Sequence, residues 1–296
     1  MTRIFMFPGQ GAQRVGMGRE LFDRFPALEE QASDVLGYSL RTLCLEDPDG
    51  RLGDTRYTQP AMFAVNALAL RAHLEDTGER PDLAVGHSLG EYNALQAAGA
   101  FGFTDGLRLV AARAEAMAGT GGGGMSAVIG LPETQLRFLL LRAGFGSLDL
   151  ANLNTPGQIV LAGPVEDLEE AGPILEDAGA RAVRRLAVSG PFHSRYMAPA
   201  AERLYPVVAA TRFAPLTVPV VANATARPYE QERIGDLLLQ QIHQPVRWCR
   251  TMESVLDEEY GPEPEFTEIG TGTVLTGMLR QIRRERGAAV GAAGPR

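Results

Sequence analysis

Short, wholly apolar runs alternate along the chain with longer stretches in which apolar residues recur every three to four positions, which predicts strands and helices in turn. Arg3-Ile4-Phe5-Met6-Phe7 and Leu83-Ala84-Val85 are too short for helices and too apolar for exposed strands, so both predict buried strands. Helices are predicted over 20–36, over 60–74 with Gln59-Pro60 opening it, over 92–98, and over 104–117 with Thr104 as N-cap. Past a glycine joint at 121–124 the texture changes. Strands are predicted there over 125–131, 148–154, 158–162 and 182–188, with helices over 132–143 and 165–178. This β-α-β-β-α-β order is that of a ferredoxin-like unit. Strand patterns resume at 218–223 and 266–269 among helices over 199–210, 234–242, 246–256 and 274–284. The expected fold is α/β: a discontinuous large domain with a mostly parallel sheet, 1–123 and 190–285, and an inserted ferredoxin-like subdomain at 124–189. Residues 286–296, rich in Gly and Ala, are expected to be a flexible tail.

Between the predicted strand 83–85 and the helix 92–98 stands Gly86-His87-Ser88-Leu89-Gly90, which fits the nucleophile-elbow pattern G-x-S-x-G. Without Cβ atoms on its two glycines, the turn can tighten until the Ser88 hydroxyl stands clear of the sheet at the start of a helix. There the helix dipole and unpaired N–H groups favour developing negative charge. A bare G-x-S-x-G also occurs as an ordinary loop, but the strand before it and the helix after it favour the elbow and make the large domain α/β-hydrolase-like. The turn Pro8-Gly9-Gln10-Gly11-Ala12-Gln13 lacks both the Lys-Ser/Thr ending of a P-loop and G-x-G-x-x-G spacing, so backbone donors to an oxyanion suit it better than nucleotide binding.

A serine nucleophile needs a base, and the chain has 4 histidines. His73 ends a charged helix, His87 is expected to project from the far side of the turn, and His243 precedes Gln244-Pro245. His193, in Ser189-Gly190-Pro191-Phe192-His193-Ser194, lies where the inserted unit returns to the large domain and is the expected base. No acid stands out as a third triad member, which leaves a backbone or side-chain carbonyl to orient the imidazole. Projected at 100° per residue, Arg113 falls on the side of Leu109, Val110, Ala116 and Met117. An unpaired guanidinium there would be costly, so Arg113 needs an internal carboxylate, a route to the surface, or an anionic ligand.

Composition narrows the chemistry further. With 296 residues and 45% hydrophobic content the chain can bury a full core, and its net charge of −8 argues against nucleic acid as the main partner. All 28 basic residues are Arg, which excludes Schiff-base and Ser-Lys mechanisms. The 2 cysteines, Cys44 and Cys249, are too few and too scattered for a disulfide framework or a zinc site. Neither a signal peptide nor a run long enough to span a bilayer is found, so a cytoplasmic address without a membrane partner is expected, and the chain is expected to be a monomer.

Phe7-Pro8-Gly9-Gln10-Gly11-Ala12-Gln13, Thr58-Gln59-Pro60-Ala61, Gly86-His87-Ser88-Leu89-Gly90-Glu91-Tyr92, Arg113 with Met117, Pro191-Phe192-His193, Pro245-Val246-Arg247-Trp248 and Glu268-Ile269-Gly270-Thr271-Gly272 together resemble the malonyl-CoA:acyl carrier protein transacylases over nearly the whole chain. The segments 36–41, 45–49 and 221–228 are most similar to the discrete acyltransferases that serve polyketide synthases in trans. The resemblance implies transfer of a malonyl group from malonyl-CoA to the phosphopantetheine thiol of an acyl carrier protein, or of a polyketide synthase carrier domain, through a Ser-linked acyl-enzyme, with no metal or other cofactor. Ser88 would be acylated and His193 would act as base and then acid. The N–H groups of Gln10 and Leu89 would form the oxyanion hole, Arg113 would clamp the malonyl carboxylate, and the Gln241 carbonyl would orient His193. Met117, Phe192 and His87 would complete the substrate site, with Phe192 opposing an α-methyl branch. Gln244 and Asn93 depart from the family's usual Asn and Ser. Arg181, Arg184, Arg185, Arg195, Arg280, Arg283 and Arg284 are candidate carrier contacts or simply solvated surface charges. The alternatives are a fatty-acid synthesis transacylase, an editing thioesterase or other α/β-hydrolase, and a non-catalytic carrier-binding scaffold.

Overall fold

The computed structural model describes residues 2–259 and 264–292. Its central sheet is parallel: β1 (Arg3–Phe7) lies between β2 (Leu83–Gly86) and β9 (Glu265–Glu268). Ala84 bridges in parallel to Val220 and donates to the Pro219 carbonyl at 3.0 Å, which carries the sheet one segment further. The apolar runs of β1 and β2 still obey strand alternation. Ile4, Met6, Leu83 and Val85 pack with Trp248, Met252, Leu275 and Leu279. Phe5, Phe7 and Ala84 face the opposite layer, which includes residues of α4 (Thr55–Thr77) and α6 (Phe103–Ala118). Helices therefore cover both faces of a sheet whose central strand is buried from Ile4 to Phe7.

A second, wholly antiparallel sheet has the order β4-β5-β3-β6, from β3 (Gly124–Ile129), β4 (Asp149–Thr155), β5 (Gln158–Gly163) and β6 (Ala182–Arg185). Val128, Leu136, Leu150, Ile159, Leu168 and Leu175 make a core under α7 (Glu133–Arg142) and α8 (Val165–Asp177). Met125, Ala127, Ala151, Val160 and Ala162 join the large core instead. The two units are stitched at the β4 edge, where Leu153 donates to Val246 O and Val246 to Ala151 O, both at 2.9 Å.

The chain departs from the sequence-based expectation at several element ends, each for a local reason. The helix expected over 20–36 is two, α1 (Arg19–Arg24) and α2 (Pro26–Leu36), because Pro26 has no N–H to continue the first and suits the first turn of the second. Asp54 accepts from Arg56 N at 2.9 Å and starts α4 at Thr55, leaving Pro60 inside that helix rather than at its head. Gly102, not Thr104, is the N-cap of α6. Only Val221–Ala222 forms a ladder strand within 218–223. Val246 is held in the β4 bridge, so the next helix begins at Trp248. The last helix, Val274–Ala292, runs through most of the expected tail, where Arg286 donates to Glu253 O at 3.0 Å; residues 293–296 lie outside the described part. No helix among the described residues is long and apolar enough to cross a membrane.

Candidate active site

The elbow forms between β2 and α5 (Gly90–Ala97). It needs its glycines: a Cβ on Gly86 would lie 2.0 Å from the Gly90 carbonyl, and one on Gly90 would lie 1.9 Å from Phe7 O. Ser88 takes a left-handed backbone, φ 51°, unusual for a non-glycine residue and held here from both sides. Its N–H donates to Asn223 Oδ1 at 2.7 Å, and its carbonyl accepts from Gln241 Nε2 at 2.7 Å. Asn223 Nδ2 in turn donates to Gly86 O at 2.7 Å.

His193 also has a left-handed backbone, φ 59°. Its Nε2 is 2.7 Å from Ser88 Oγ and its Nδ1 is 2.7 Å from the Gln241 carbonyl. A carbonyl can only accept, so Nδ1 carries the proton and bare Nε2 faces the serine hydroxyl, as a general base requires. Burial, reinforced by the nearby Arg113 cation, holds the imidazolium pKa down to about 3. The ring is therefore neutral near neutral pH, with no acid needed behind it.

Arg113 is 1% exposed. Nη1 donates to Gln59 Oε1 at 2.5 Å, and Nη2 donates to Gln241 Oε1 at 2.9 Å and to Ser88 Oγ at 3.1 Å. The guanidinium also lies 5.3 Å over the Tyr92 ring. Among the described residues no carboxylate lies within ion-pair distance of it; Glu91 acts on it through space and through the Gln241 carboxamide that bridges the two. Burial lowers its pKa, but a guanidinium titrates too high to lose its proton. The site thus holds a buried cation bound to neutral oxygens beside the nucleophile.

The other expected residues surround this group. Gly9 presses on the elbow, since a Cβ there would meet His87 O at 2.4 Å and Leu89 N at 3.5 Å, which sets the loop of Gln10 beside the Leu89 amide. Among the described residues neither the Gln10 nor the Leu89 amide donates a hydrogen bond. Gln10 Oε1 accepts from Thr55 Oγ1 at 2.7 Å, and Thr55 Oγ1 accepts from Gln59 Nε2 at 3.1 Å, so one chain of contacts joins this loop to Arg113. Met117 Sδ accepts from Gln59 Nε2 at 3.6 Å. Phe192 is buried beside His193. His87 is not in polar contact with Ser88, His193 or Arg113: its Nε2 pairs with Asn154 Oδ1 at 2.8 Å and its ring leans on Trp248. Asn93, one of the two departures, is satisfied by Phe63 O and Asn66.

A cleft of about 270 Å³ reaches His193 between the two units, with Asp149, Arg137, Arg195, His243 and the other departure, Gln244, on its walls. Arg195, a candidate carrier contact, is tied to Asp149 through both its backbone N–H and its guanidinium. No three His, Cys, Asp or Glu side chains converge as a metal site among the described residues. Gln59, Asn223 and Glu91 received no role from sequence. Glu91 and Asn223 contact each other across 132 positions and Glu91 and Gln241 across 150, which linear order does not reveal.

The chain matches the acyl transferase domain family over residues 4–290. It is 48% identical to the polyketide biosynthesis protein ThaF of Burkholderia thailandensis over 98% of this chain, although it spans only 25% of that protein. It is 44% identical to the polyketide biosynthesis malonyl CoA-acyl carrier protein transacylase BaeC of Bacillus velezensis, covering 96% of this chain and 98% of that one. Among solved structures, the malonyl CoA-acyl carrier protein transacylase of Burkholderia pseudomallei superimposes with a TM-score of 0.93 at 45% identity, over 96% of this chain and 99% of that chain. A malonyl-transacylase in complex with a type II polyketide synthase acyl-carrier protein, PlMCAT:AntF, follows at 0.89 and 38%, covering 96% and 94%. On this matched length and identity, the chain belongs to the malonyl CoA-acyl carrier protein transacylase family of acyl transferase domains.

Proposed function

We propose that this chain transfers malonyl groups from malonyl-CoA to the phosphopantetheine thiol of an acyl carrier protein, loading polyketide synthase carriers in trans. The observation that carries this is Arg113: a buried guanidinium without an ion-pair partner among the described residues, 3.1 Å from the Ser88 hydroxyl. A single methylene separates the malonyl carboxylate from the carbonyl under attack, so a carboxylate clamp must lie this close to the nucleophile. Ser88 Oγ attacks the thioester carbonyl as its proton passes to His193 Nε2. The Gln10 and Leu89 amides receive the oxyanion, and the CoA sulfur leaves with the proton from Nε2. The carrier thiol then gives its proton to Nε2, attacks the Ser88 ester, and Ser88 Oγ takes the proton back. No group outside the chain and its two thioester partners is required. Greater identity to BaeC, 44%, than to the Salmonella typhimurium transacylase, 39%, supports the polyketide assignment over fatty-acid synthesis.

The strand order β4-β5-β3-β6 supports reading 124–189 as a ferredoxin-like subdomain inserted in an α/β-hydrolase-like domain of 1–123 and 190–285, extended here by the helix to Ala292. We further propose a cytoplasmic location, and a monomer, since one chain supplies every residue of the site. Initial rates at varied malonyl-CoA and holo carrier concentrations test the function: a ping-pong enzyme gives parallel double-reciprocal lines, whereas intersecting lines contradict a free acyl-enzyme. Phe192 is the proposed size gate. One methyl group is worth about 1–3 kcal/mol in such a pocket, so wild type should favour malonyl-CoA over methylmalonyl-CoA and Phe192→Ser should relax that preference without reversing it. Because removing a buried Phe leaves a cavity, a melting curve must accompany the comparison. Equal wild-type rates with the two esters would remove Phe192 from this role.

A further inference from the structure

Glu91 is 0% exposed, and the transfer steps do not use it. Its Oε1 accepts from Asn223 N at 3.0 Å and from the Tyr229 hydroxyl at 2.5 Å, and its Oε2 accepts from Gln241 Nε2 at 2.6 Å. These partners reach every working part of the site. Asn223 holds the Ser88 N–H; Gln241 holds the Ser88 carbonyl, His193 Nδ1 and Arg113 Nη2. A carboxamide has two distinguishable ends. Gln241 can offer its oxygen to Arg113 only while its NH₂ has acceptors on the other side, and those acceptors are Ser88 O and Glu91 Oε2.

We propose that Glu91 is a positioning residue whose buried carboxylate fixes the orientation of the Gln241 side chain, and through it the aim of Arg113 at the acyl carboxylate. This rests on the malonyl-transfer function proposed above. In Glu91→Gln an NH₂ group must face one of three donors. The Asn223 backbone N–H cannot turn; the Gln241 carboxamide can. It would flip, presenting its own NH₂ to the guanidinium and turning Arg113 away, with loss of its bond to the Ser88 carbonyl while Asn223 still holds the Ser88 N–H. The Ser88–His193 pair keeps its contact, because His193 is held by the Gln241 main chain.

The test is acyl-enzyme formation with malonyl-CoA and with acetyl-CoA, followed by mass, in wild type and Glu91→Gln. Losing a charge-assisted buried hydrogen bond should lower the malonyl-to-acetyl ratio of acylation rates about ten- to a hundred-fold, with acetyl acylation near its wild-type rate. Equal loss with both esters, accompanying a lowered melting temperature, would make Glu91 merely structural and overturn the proposal. Failure of wild type to form any malonyl adduct would instead overturn the transfer function itself.

The wild-type pH profile gives a second readout that needs no variant. Burial pushes the Glu91 pKa up to about 7, against the hydrogen bonds from Tyr229, Gln241 and Asn223 that favour the anion. The groups facing it are Arg113 from α6, Tyr229 from the segment after β8 (Arg227–Pro228), Tyr92 on its own helix and, beyond Gln241, His193. Both tyrosines titrate far higher, Arg113 stays charged and His193 stays neutral, so only Glu91 changes charge near neutrality. The anion is the orienting form, so the malonyl-to-acetyl ratio should rise as pH rises through about 7 and be flat in Glu91→Gln. A wild-type ratio that is flat across this range would equally overturn the proposal.

Discussion

Arg113→Ala should lower kcat/KM for malonyl-CoA by about 30- to 5,000-fold while acetyl-CoA turnover holds or rises. The range corresponds to about 2–5 kcal/mol for losing one partner of a desolvated charge pair. The asymmetry follows from the site's geometry, in which the guanidinium is 1% exposed and donates to the uncharged Gln59, Gln241 and Ser88 oxygens. An acyl carboxylate supplies the missing counter-charge through two parallel hydrogen bonds, which a Lys side chain does not reproduce, so Arg113→Lys should remain impaired. The truncation also leaves the Gln59 and Gln241 carbonyl oxygens without their donor, which makes a melting curve part of the measurement. If the malonyl-to-acetyl ratio is unchanged in a folded Arg113→Ala protein, the guanidinium is a packing element and the acyl specificity lies elsewhere.

Ser88→Ala should lower transfer by about a millionfold, the scale for loss of a nucleophile, and abolish the covalent adduct. The fold should survive. The left-handed backbone at 88 is fixed by Asn223 and Gln241 through the peptide N–H and C=O, neither of which the substitution touches. What is lost is the Oγ contact to His193 and to Arg113 Nη2. Retained labelling in Ser88→Ala would move the nucleophile to another residue.

The elbow was legible because its chemistry is local. Gly86 and Gly90 are demanded by atoms within a few residues of them and by the neighbouring strand, and a short motif records such a demand. The alternating strands and helices of the 124–189 unit were legible for the same reason, as each element carries its own periodicity. Arg113 announced itself through helical projection, since a charge on an apolar face needs an explanation wherever it occurs. The projection could not say whether the explanation was an internal carboxylate or a ligand. That depended on Gln59 and Gln241, which lie 54 and 128 positions away. The main-chain carbonyl of Gln241 came only from family resemblance, because a backbone acceptor leaves no mark on residue identity. Glu91 was passed over because an acid on a short helix reads as solvated surface until the fold shows Asn223, Tyr229 and Gln241 closing over it. The misplaced helix starts at Pro60, Thr104 and Val246 share one cause. At each, the backbone next to the helix set the boundary, through the Asp54 cap, the Gly102 turn and the Asn152–Val246 bridge, and side-chain periodicity does not record it.

The claim on which everything else depends is that Ser88 carries the malonyl group between two thiols. The measurement is the intact mass of the protein after mixing with malonyl-CoA, with the modified peptide mapped, followed by a chase with holo acyl carrier protein or with buffer alone. The account predicts a single malonyl addition on the Ser88 peptide that survives the buffer chase and is discharged when carrier is added, with the lost mass recovered on the carrier. An adduct that water clears as fast as carrier does would make the protein a hydrolase. No adduct at all would contradict the account.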